Sequence, residues 1–183
     1  MGMIISGEGR QGWVKEKKDK AVSLGQLCLS PEDPRTTDTG RPLCEKCGLW
    51  REAKSPFMVP QVPQEWTNRL LIVGERPGQD EDKNSGHPFS GKSGKMLRGW
   101  LADKGFKKED VAFTNATRCG GPNNATPSMT QIRCCRPFLL WELETLQPET
   151  VLALGNSALR AVTNDGQATV TRSRGRLLSV PQA

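Results

Sequence analysis

Six cysteines are the residues of this 183-residue chain best suited to binding a metal. Cys44 and Cys47 form a Cys-x-x-Cys pair, and Cys119 and Cys135 follow with fifteen residues between them. The turn inside a Cys-x-x-Cys pair directs both sulfurs toward one metal centre, and two distant cysteines can complete the coordination. These four cysteines are therefore the candidate metal ligands.

Four interpretations of the cysteine pattern remain open. An iron–sulfur cluster with four thiolate ligands fits the spacing. A structural zinc ribbon usually has a second Cys-x-x-Cys pair, which this chain lacks. A dithiol redox motif usually begins a thioredoxin-like βαβ unit, whereas a proline-rich loop follows this pair. Plain buried thiols are the least favoured interpretation, because two of the four cysteines are paired.

Helical phase distinguishes Cys135 from its neighbour Cys134. The inward positions of this segment are spaced three, four, four and three residues apart: Ile132, Cys135, Leu139, Leu143 and Leu146. Such spacing places them on one helical face, which must point toward the core. Cys134 lies about 100 degrees away from that face. We therefore predict Cys135 as the ligand and leave Cys28 and Cys134 outside the metal site.

A loop rich in glycine and acidic residues, 74–94, directly follows a short apolar run. Pro77 and the glycines force a tight turn that exposes backbone amides. Gly91 and Gly94 precede a helix, so its amino end is placed to face an anion such as a DNA phosphate. A nucleotide-phosphate loop is the rival interpretation. However, the spacing is not that of a Walker loop, and four acids between positions 75 and 82 would repel phosphate.

Two side chains near these loops are suited to binding a nucleobase. Phe89 is an apolar ring in a polar loop, and it either fills the core or forms a stacking platform for a base. Asn115 ends a strand, and its carboxamide either forms a turn or reads a base edge that presents an N–H beside a carbonyl. His87 is the only histidine, and we interpret it as a loop residue because no nucleophile pattern surrounds it.

The elements that position these residues alternate along the chain. Apolar runs predict strands at 69–73, 111–115 and 151–155, helices are predicted at 93–105, 126–147 and 156–162, and weak strands at 169–171 and 177–180. This alternation predicts an α/β fold with three αβα layers and a central, mostly parallel sheet. Ligands bind such sheets at the loops after the carboxyl ends of the strands. Here those loops are 74–94, 116–126 and the turn after Leu154.

Composition limits the partners and the compartment. Twenty-six Lys and Arg against 20 Asp and Glu give a net charge of +6 and a pI near 9.1, which suits a polyanionic partner. The sequence contains no apolar run of about 18 residues, so it predicts no membrane-spanning helix. We expect a cytoplasmic protein, because the start lacks a secretory signal pattern. Residues 1–40 are predicted to be a basic, partly irregular arm, more consistent with a solvated segment than with a DNA-gripping one.

Together, these motifs resemble those of the family 4 uracil-DNA glycosylases, the iron–sulfur type. The matching segments keep their order over residues 43–178: 44–47 (CEKC), 71–82 (LIVGERPGQDED), 88–94 (PFSGKSG), 114–115 (TN), 118–119 (RC), 135–139 (CRPFL), 151–155 (VLALG) and 174–176 (RGR). The resemblance implies a uracil-DNA glycosylase-like domain over residues 41–183. It also implies a structural [4Fe–4S] cluster on the four candidate cysteines. The implied protein is a monomer whose partner is uracil-containing DNA, with no membrane partner.

The resemblance implies a reaction as well. Such proteins flip deoxyuridine out of DNA and hydrolyse the bond between N1 and C1′. By position, Phe89 would stack on uracil, Asn115 would bind its O4 and N3 edge, and the backbone at 75–77 would line the pocket. The implied uracil-binding residues are Glu75, Arg76, Pro77, Glu81, Phe89 and Asn115, and the implied catalytic residues are Glu75, Glu81 and Asn115.

The sequence departs from the family pattern at three places. Family members end with a strand and a His-Pro-Ser/Ala type loop that bears a histidine, and no histidine follows His87 before Ala183. Arg76 stands where the family usually has a small residue, and the stretch 83–86 is one residue longer than usual. The sequence ends where that strand should begin. We therefore keep an alternative: a DNA- or uracil-binding protein of the same fold whose catalytic activity is weak or absent.

Overall fold

A computed structural model describes residues 3–6, 47–84, 87–176 and 178 of the chain. Its strands are β1 (Met3–Ser6), β2 (Leu70–Gly74), β3 (Val111–Asn115) and β4 (Thr150–Ala153). Its α-helices are α1 (Gln79–Asn84), α2 (Lys92–Asp103), α3 (Met129–Leu146), α4 (Asn156–Thr163) and α5 (Val170–Ser173). Short 3-10 helices lie at Leu49–Arg51, Lys108–Asp110 and Pro122–Asn124. None of the helices in these ranges is long and apolar enough to cross a membrane.

The strands form one sheet in the order β1-β4-β2-β3. Strands β2, β3 and β4 run parallel, and β1 pairs antiparallel with β4. The mostly parallel sheet predicted from the sequence is therefore confirmed. Because parallel strands end at the same edge, the loops after β2, β3 and β4 meet there, and the register pairs Gly74 with Asn115.

Successive residues of β2 point to opposite faces of the sheet, and both faces are covered. Leu71 and Val73 pack into a core with residues of α3 and α4. Leu70 and Ile72 pack into a second core, to which α2 contributes. Every residue of β2 and β3 is buried, which explains why β2 and the first three residues of β3 form apolar runs. The three-layer αβα arrangement follows from helices on both sides.

Several elements differ from the sequence predictions. Helix α3 begins after Ser128 and not at 126, because Ser128 and Gln131 form a reciprocal capping box. A short helix, α1, lies inside the predicted loop 74–94. The prediction of a weak strand at 169–171 is wrong, since Val170–Ser173 is helical. The other weak strand, at 177–180, falls outside the described residues except for position 178.

Strand β1 lies in the segment that the sequence predicts to be irregular. The remainder of residues 1–40, and with it the predicted arm, lies outside the described residues. The division into an arm and a domain therefore remains a prediction. The pairing of β1 with β4 extends the sheet on the side away from β3.

A buried ion pair connects the layer of α3 to the sheet. Arg118 Nη2 donates to Glu142 Oε2 at 2.6 Å, and both side chains are at most 2% exposed. Thr114 Oγ1 donates to the same oxygen at 2.8 Å and accepts from Arg118 Nη1. The network joins three parts of the chain: the residue before Asn115, the residue before Cys119, and the helix that carries Cys135.

We predict that Glu142→Ala lowers the free energy of unfolding by about 3–5 kcal/mol, because it leaves the Arg118 charge buried without a partner. Urea unfolding monitored by circular dichroism measures the change. Glu144→Ala is the matched control, since Glu144 is exposed on the same helix and its loss should change stability by about 0.5 kcal/mol or less. Equal effects of the two substitutions would contradict this account of the ion pair.

Candidate functional site

Phe89 and Asn115 meet at Gly74, at the carboxyl edge of the sheet. A Cβ atom built on Gly74 would overlap Asn115 Oδ1 and would lie 2.7 Å from Phe89 Cζ. Only a glycine lets both side chains approach the backbone of β2 so closely. The two residues that the sequence analysis selects as base-binding candidates are thus neighbours, although 26 positions separate them in the chain.

Asn115 presents an unsatisfied hydrogen-bond donor at this point. The residue is 3% exposed, and its Nδ2 atom is buried without a hydrogen-bond partner. Leaving a buried donor unpaired costs about 1–3 kcal/mol, and buried polar groups are rarely left so. The amide is therefore positioned to bind a ligand that supplies an acceptor.

Phe89 adopts a backbone conformation that is unusual for a bulky residue, with φ at 58°. Its ring packs at a tilt against Phe113 of β3, with 5.4 Å between ring centroids. The ring is only partly buried. The sequence left two roles open for Phe89, and the structure shows features of both: it contacts the core beside α2 and it reaches the carboxyl edge.

The loop that carries Phe89 is tied to the turn after β2 by the carboxylate of Glu81. Glu81 Oε2 accepts from the backbone amide of Gly78 at 3.1 Å, and Oε1 accepts from the amide of Gly91 at 3.4 Å. One carboxylate thereby joins two segments that lie thirteen positions apart. Glu81 is placed to hold the loop, since both of its oxygens bind backbone.

Glu75 follows Gly74 and is held by the amino end of α4. Ser157 Oγ donates to Glu75 Oε2 at 2.6 Å. Ser157 lies in the first turn of α4, where the helix dipole favours a negative charge. The sequence analysis flags the turn after Leu154 as a functional loop but misses Ser157 itself. The signal that could have indicated it is the position of Ser157, one residue after the start of the predicted helix at 156.

Arg76 points toward the loop that follows Cys119. Its Nη1 lies so close to Gly121 that a Cβ atom there would overlap it, and Nη2 is buried without a hydrogen-bond partner. Burial lowers the pKa of the guanidinium, against the opposing effect of Glu75 and Asp82. Asp82 packs against the neighbouring Gly120 and accepts from the amides of residues 54 and 55. Pro77, the remaining candidate of this loop, is buried.

Cys47 and Cys135 are in contact. The thiol of Cys135 donates to Cys47, which lowers the pKa of Cys47 to about 6, and the same hydrogen bond together with burial raises the pKa of Cys135. The backbone amide of Arg118 also hydrogen-bonds the Cys135 sulfur. The predicted phase of α3 is confirmed, because Cys135 is buried and Cys134 is only half-buried.

Cys119, next to Arg118 in the chain, is buried, and its sulfur accepts from the amide of Phe57 at 3.3 Å. The candidate ligand Cys44 and the leftover Cys28 lie outside the described residues. Within residues 47–84 and 87–176, no group of three or more His, Cys, Asp or Glu side chains is arranged to hold a metal ion. The assignment of four cysteine ligands therefore remains a prediction.

Comparison with known proteins identifies the family of this chain. Residues 60–181 match the sequence profile described as the uracil DNA glycosylase superfamily. The chain belongs to this superfamily. A type-4 uracil-DNA glycosylase of Archaeoglobus fulgidus is 36% identical over 140 residues, which are 75% of this chain and 68% of the relative. That similarity places the chain in the type-4 family.

Two other relatives show how much of a longer protein this chain corresponds to. A type-4 uracil-DNA glycosylase of Thermotoga maritima is 38% identical over 107 residues, which are 58% of this chain and 55% of the relative. A DNA polymerase of Bacillus phage SP01 is 29% identical over 113 residues, which are 61% of this chain and 12% of the polymerase. The chain thus spans little more than half of the Thermotoga glycosylase.

We predict that Gly74→Ala lowers the free energy of unfolding by about 1–3 kcal/mol, because the added methyl group overlaps Asn115 and the Phe89 ring. Gly78→Ala is the matched control: Gly78 lies in the turn after β2, four residues beyond Gly74, with no atom within 4 Å of an added Cβ. Denaturant unfolding of both variants measures the difference. The close approach at Gly74 is contradicted if the two glycines tolerate alanine equally well.

Proposed function

We propose that this chain is a uracil-DNA glycosylase that flips deoxyuridine out of DNA and hydrolyses its N-glycosidic bond. The observation that carries the proposal is the convergence of Phe89 and Asn115 at Gly74, with Asn115 Nδ2 buried and unpaired. The names of the type-4 relatives support it. The net charge of +6 suits a DNA substrate, whose backbone binds cations with a strong dependence on salt.

Asn115 would discriminate uracil from cytosine. Its Nδ2 would donate to uracil O4, and its Oδ1 would accept from the N3–H group. Cytosine presents an amino group and an unprotonated N3 on the same edge, so neither hydrogen bond would form. A buried amide that loses both partners pays the full cost of desolvation, which is the strongest available means of rejecting an analogue.

Phe89 would bind the flipped base by stacking. Stacking on an aromatic ring contributes about 1–3 kcal/mol per base and does not depend on which base is bound. The ring lies beside Gly74, so a base stacked on it would bring its polar edge within reach of Asn115. The backbone of residues 75–77, together with the buried Pro77, would form the adjacent wall.

Glu75 would act at the sugar. When the N1–C1′ bond breaks, both bonding electrons move to uracil, and positive charge develops on the sugar. Water then adds to C1′, and its proton ends on the departing base. A fixed carboxylate stabilises that charge and orients the water. We assign this role to Glu75, which directly follows Gly74 and is held by Ser157. Glu81 would act indirectly, since its oxygens hold the loop backbone.

We further propose that Cys44, Cys47, Cys119 and Cys135 hold a [4Fe–4S] cluster. Two observations support it: the contact between Cys47 and Cys135, and the backbone N–H groups directed at the sulfurs of Cys119 and Cys135. Thiolates are the ligands of such clusters, and hydrogen bonds to sulfur tune them. When bound, the cluster would act as a structural crosslink between the segment around Cys47, the loop after β3 and helix α3.

The test of the glycosylase activity is the excision of uracil from a single-uracil oligonucleotide, followed by alkaline cleavage at abasic sites. We predict cleavage by the chain and a fall of about 10²–10³-fold in the single-turnover rate for Asn115→Leu, which removes the donor aimed at the base. Gln64→Leu removes an exposed amide elsewhere and should retain full activity. Retention of the oligonucleotide without cleavage would instead support the alternative of a catalytically inactive DNA-binding protein.

The cluster is tested by colour and composition. We predict that the purified protein contains iron and acid-labile sulfide and absorbs at about 400 nm, and that Cys135→Ser abolishes all three signals. Cys134→Ser is the matched control, because Cys134 is the adjacent residue of the same helix and is only half-buried, whereas Cys135 is buried. A colourless protein that contains zinc would overturn the iron–sulfur assignment.

A further inference from the structure

We propose that Arg98, on helix α2, is the positioning residue that holds the Phe89 ring in the base-binding orientation. This inference rests on the proposed function and extends it to a residue outside every motif discussed above. Arg98 would keep the strained residue Phe89 in a fixed place at the carboxyl edge of the sheet.

Arg98 contacts the loop of Phe89 and the core behind it at the same time. Its Nε donates to the carbonyl of Phe89, and its Nη2 donates to the carbonyl of Pro88, both at 3.4 Å. Nη2 also donates to Gln61 Oε1 at 2.7 Å. The guanidinium carbon lies 3.9 Å from the centroid of the Phe113 ring. One flat cation therefore stacks on the core and binds the backbone on both sides of the Phe89 α-carbon.

These contacts fall on a segment that needs external support. A bulky residue with positive φ costs of order 1–3 kcal/mol and persists only where its surroundings fix it. Gly94 packs directly against the Phe89 carbonyl and has no room for a Cβ atom. Glu81 holds the loop at a second point, through the amide of Gly91. Arg98 supplies the hydrogen bonds to the carbonyls that this conformation presents to α2.

Arg98 and its partner Gln61 both contact β3, the strand that also carries Asn115. The Phe113 ring is in contact with both Arg98 and Phe89. Gln61, the side-chain partner of Arg98, exchanges two backbone hydrogen bonds with Phe113, at 2.8 and 2.9 Å. The stacking ring and the base-reading amide would therefore both be attached to one strand, β3. Their separation would then stay constant when the base enters.

The chemistry of this arrangement requires arginine. A guanidinium is flat, stacks on aromatic rings and offers several donors in a fixed fork, whereas a lysine ammonium is a compact and flexible charge. Cation–π contacts are strongest when the cation is partly shielded from water, as Arg98 is. Arg98→Lys should therefore lose the positioning effect although it retains the charge.

A double-mutant cycle between Arg98 and Phe89 tests the inference. Two measurements report uracil affinity: inhibition of oligonucleotide cleavage by free uracil, and equilibrium dialysis with labelled uracil. We expect Arg98→Met and Arg98→Lys each to weaken uracil binding by about tenfold, within the range that aromatic stacking contributes. In a Phe89→Leu background, Arg98→Met should cause no further loss, because the ring that Arg98 positions is absent.

Arg69→Met is the matched control. Arg69 also lies over a phenylalanine ring, that of Phe106 at 5.1 Å, and pairs with Asp110, but it sits at the amino end of β2. Its loss should leave uracil affinity unchanged. Wild-type affinity in Arg98→Met, or equal losses in the presence and absence of the Phe89 ring, would show that Arg98 is merely structural. A wild-type chain that neither cleaves nor binds uracil would overturn the proposed function itself.

Discussion

The close approach of two side chains to Gly74 is the contact on which the candidate site depends. The parallel register of β2 and β3 puts Asn115 beside Gly74, and the loop after β2 brings Phe89 back to the same glycine. Any side chain at position 74 would occupy the volume that both residues share. The absence of a Cβ atom at Gly74 therefore allows an aromatic ring and an amide to lie side by side at this edge of the sheet.

Two supports hold that contact from opposite sides of the sheet. On the side of α2, Arg98 and Glu81 bind the backbone of the Phe89 loop. On the side of α3, the buried Arg118–Glu142 pair binds Thr114, next to Asn115. Arg118 also links this network to the cysteines, through its amide at Cys135. Arg118 thus contacts both Cys135 and the residue that precedes Asn115.

Local sequence patterns predict the layers of the fold well, and they miss the start of α3 and the two short helices α1 and α5. Strand β2 and the first three residues of β3 are apolar because they are buried on both faces, and this makes both strands recognisable in the sequence. The start of α3 was missed because the capping box of Ser128 and Gln131 outweighs the Thr-Pro pattern before it. The β-branched run at 169–171 favours a strand. The segment is nevertheless helical, and Asn156 Oδ1 accepts a hydrogen bond from the amide of Val170.

By itself, the sequence determined the α/β architecture, the location of Asn115 at a strand end, and the inward direction of Cys135 as opposed to Cys134. Each of these follows from the periodicity of neighbouring residues, which the chain carries locally. Only the tertiary structure decided that Phe89 meets Asn115, that Ser157 holds Glu75, and that Arg98 supports the Phe89 loop. Those contacts join segments from different strands and helices, so they exist only once the register of the parallel sheet has brought the loops to one edge.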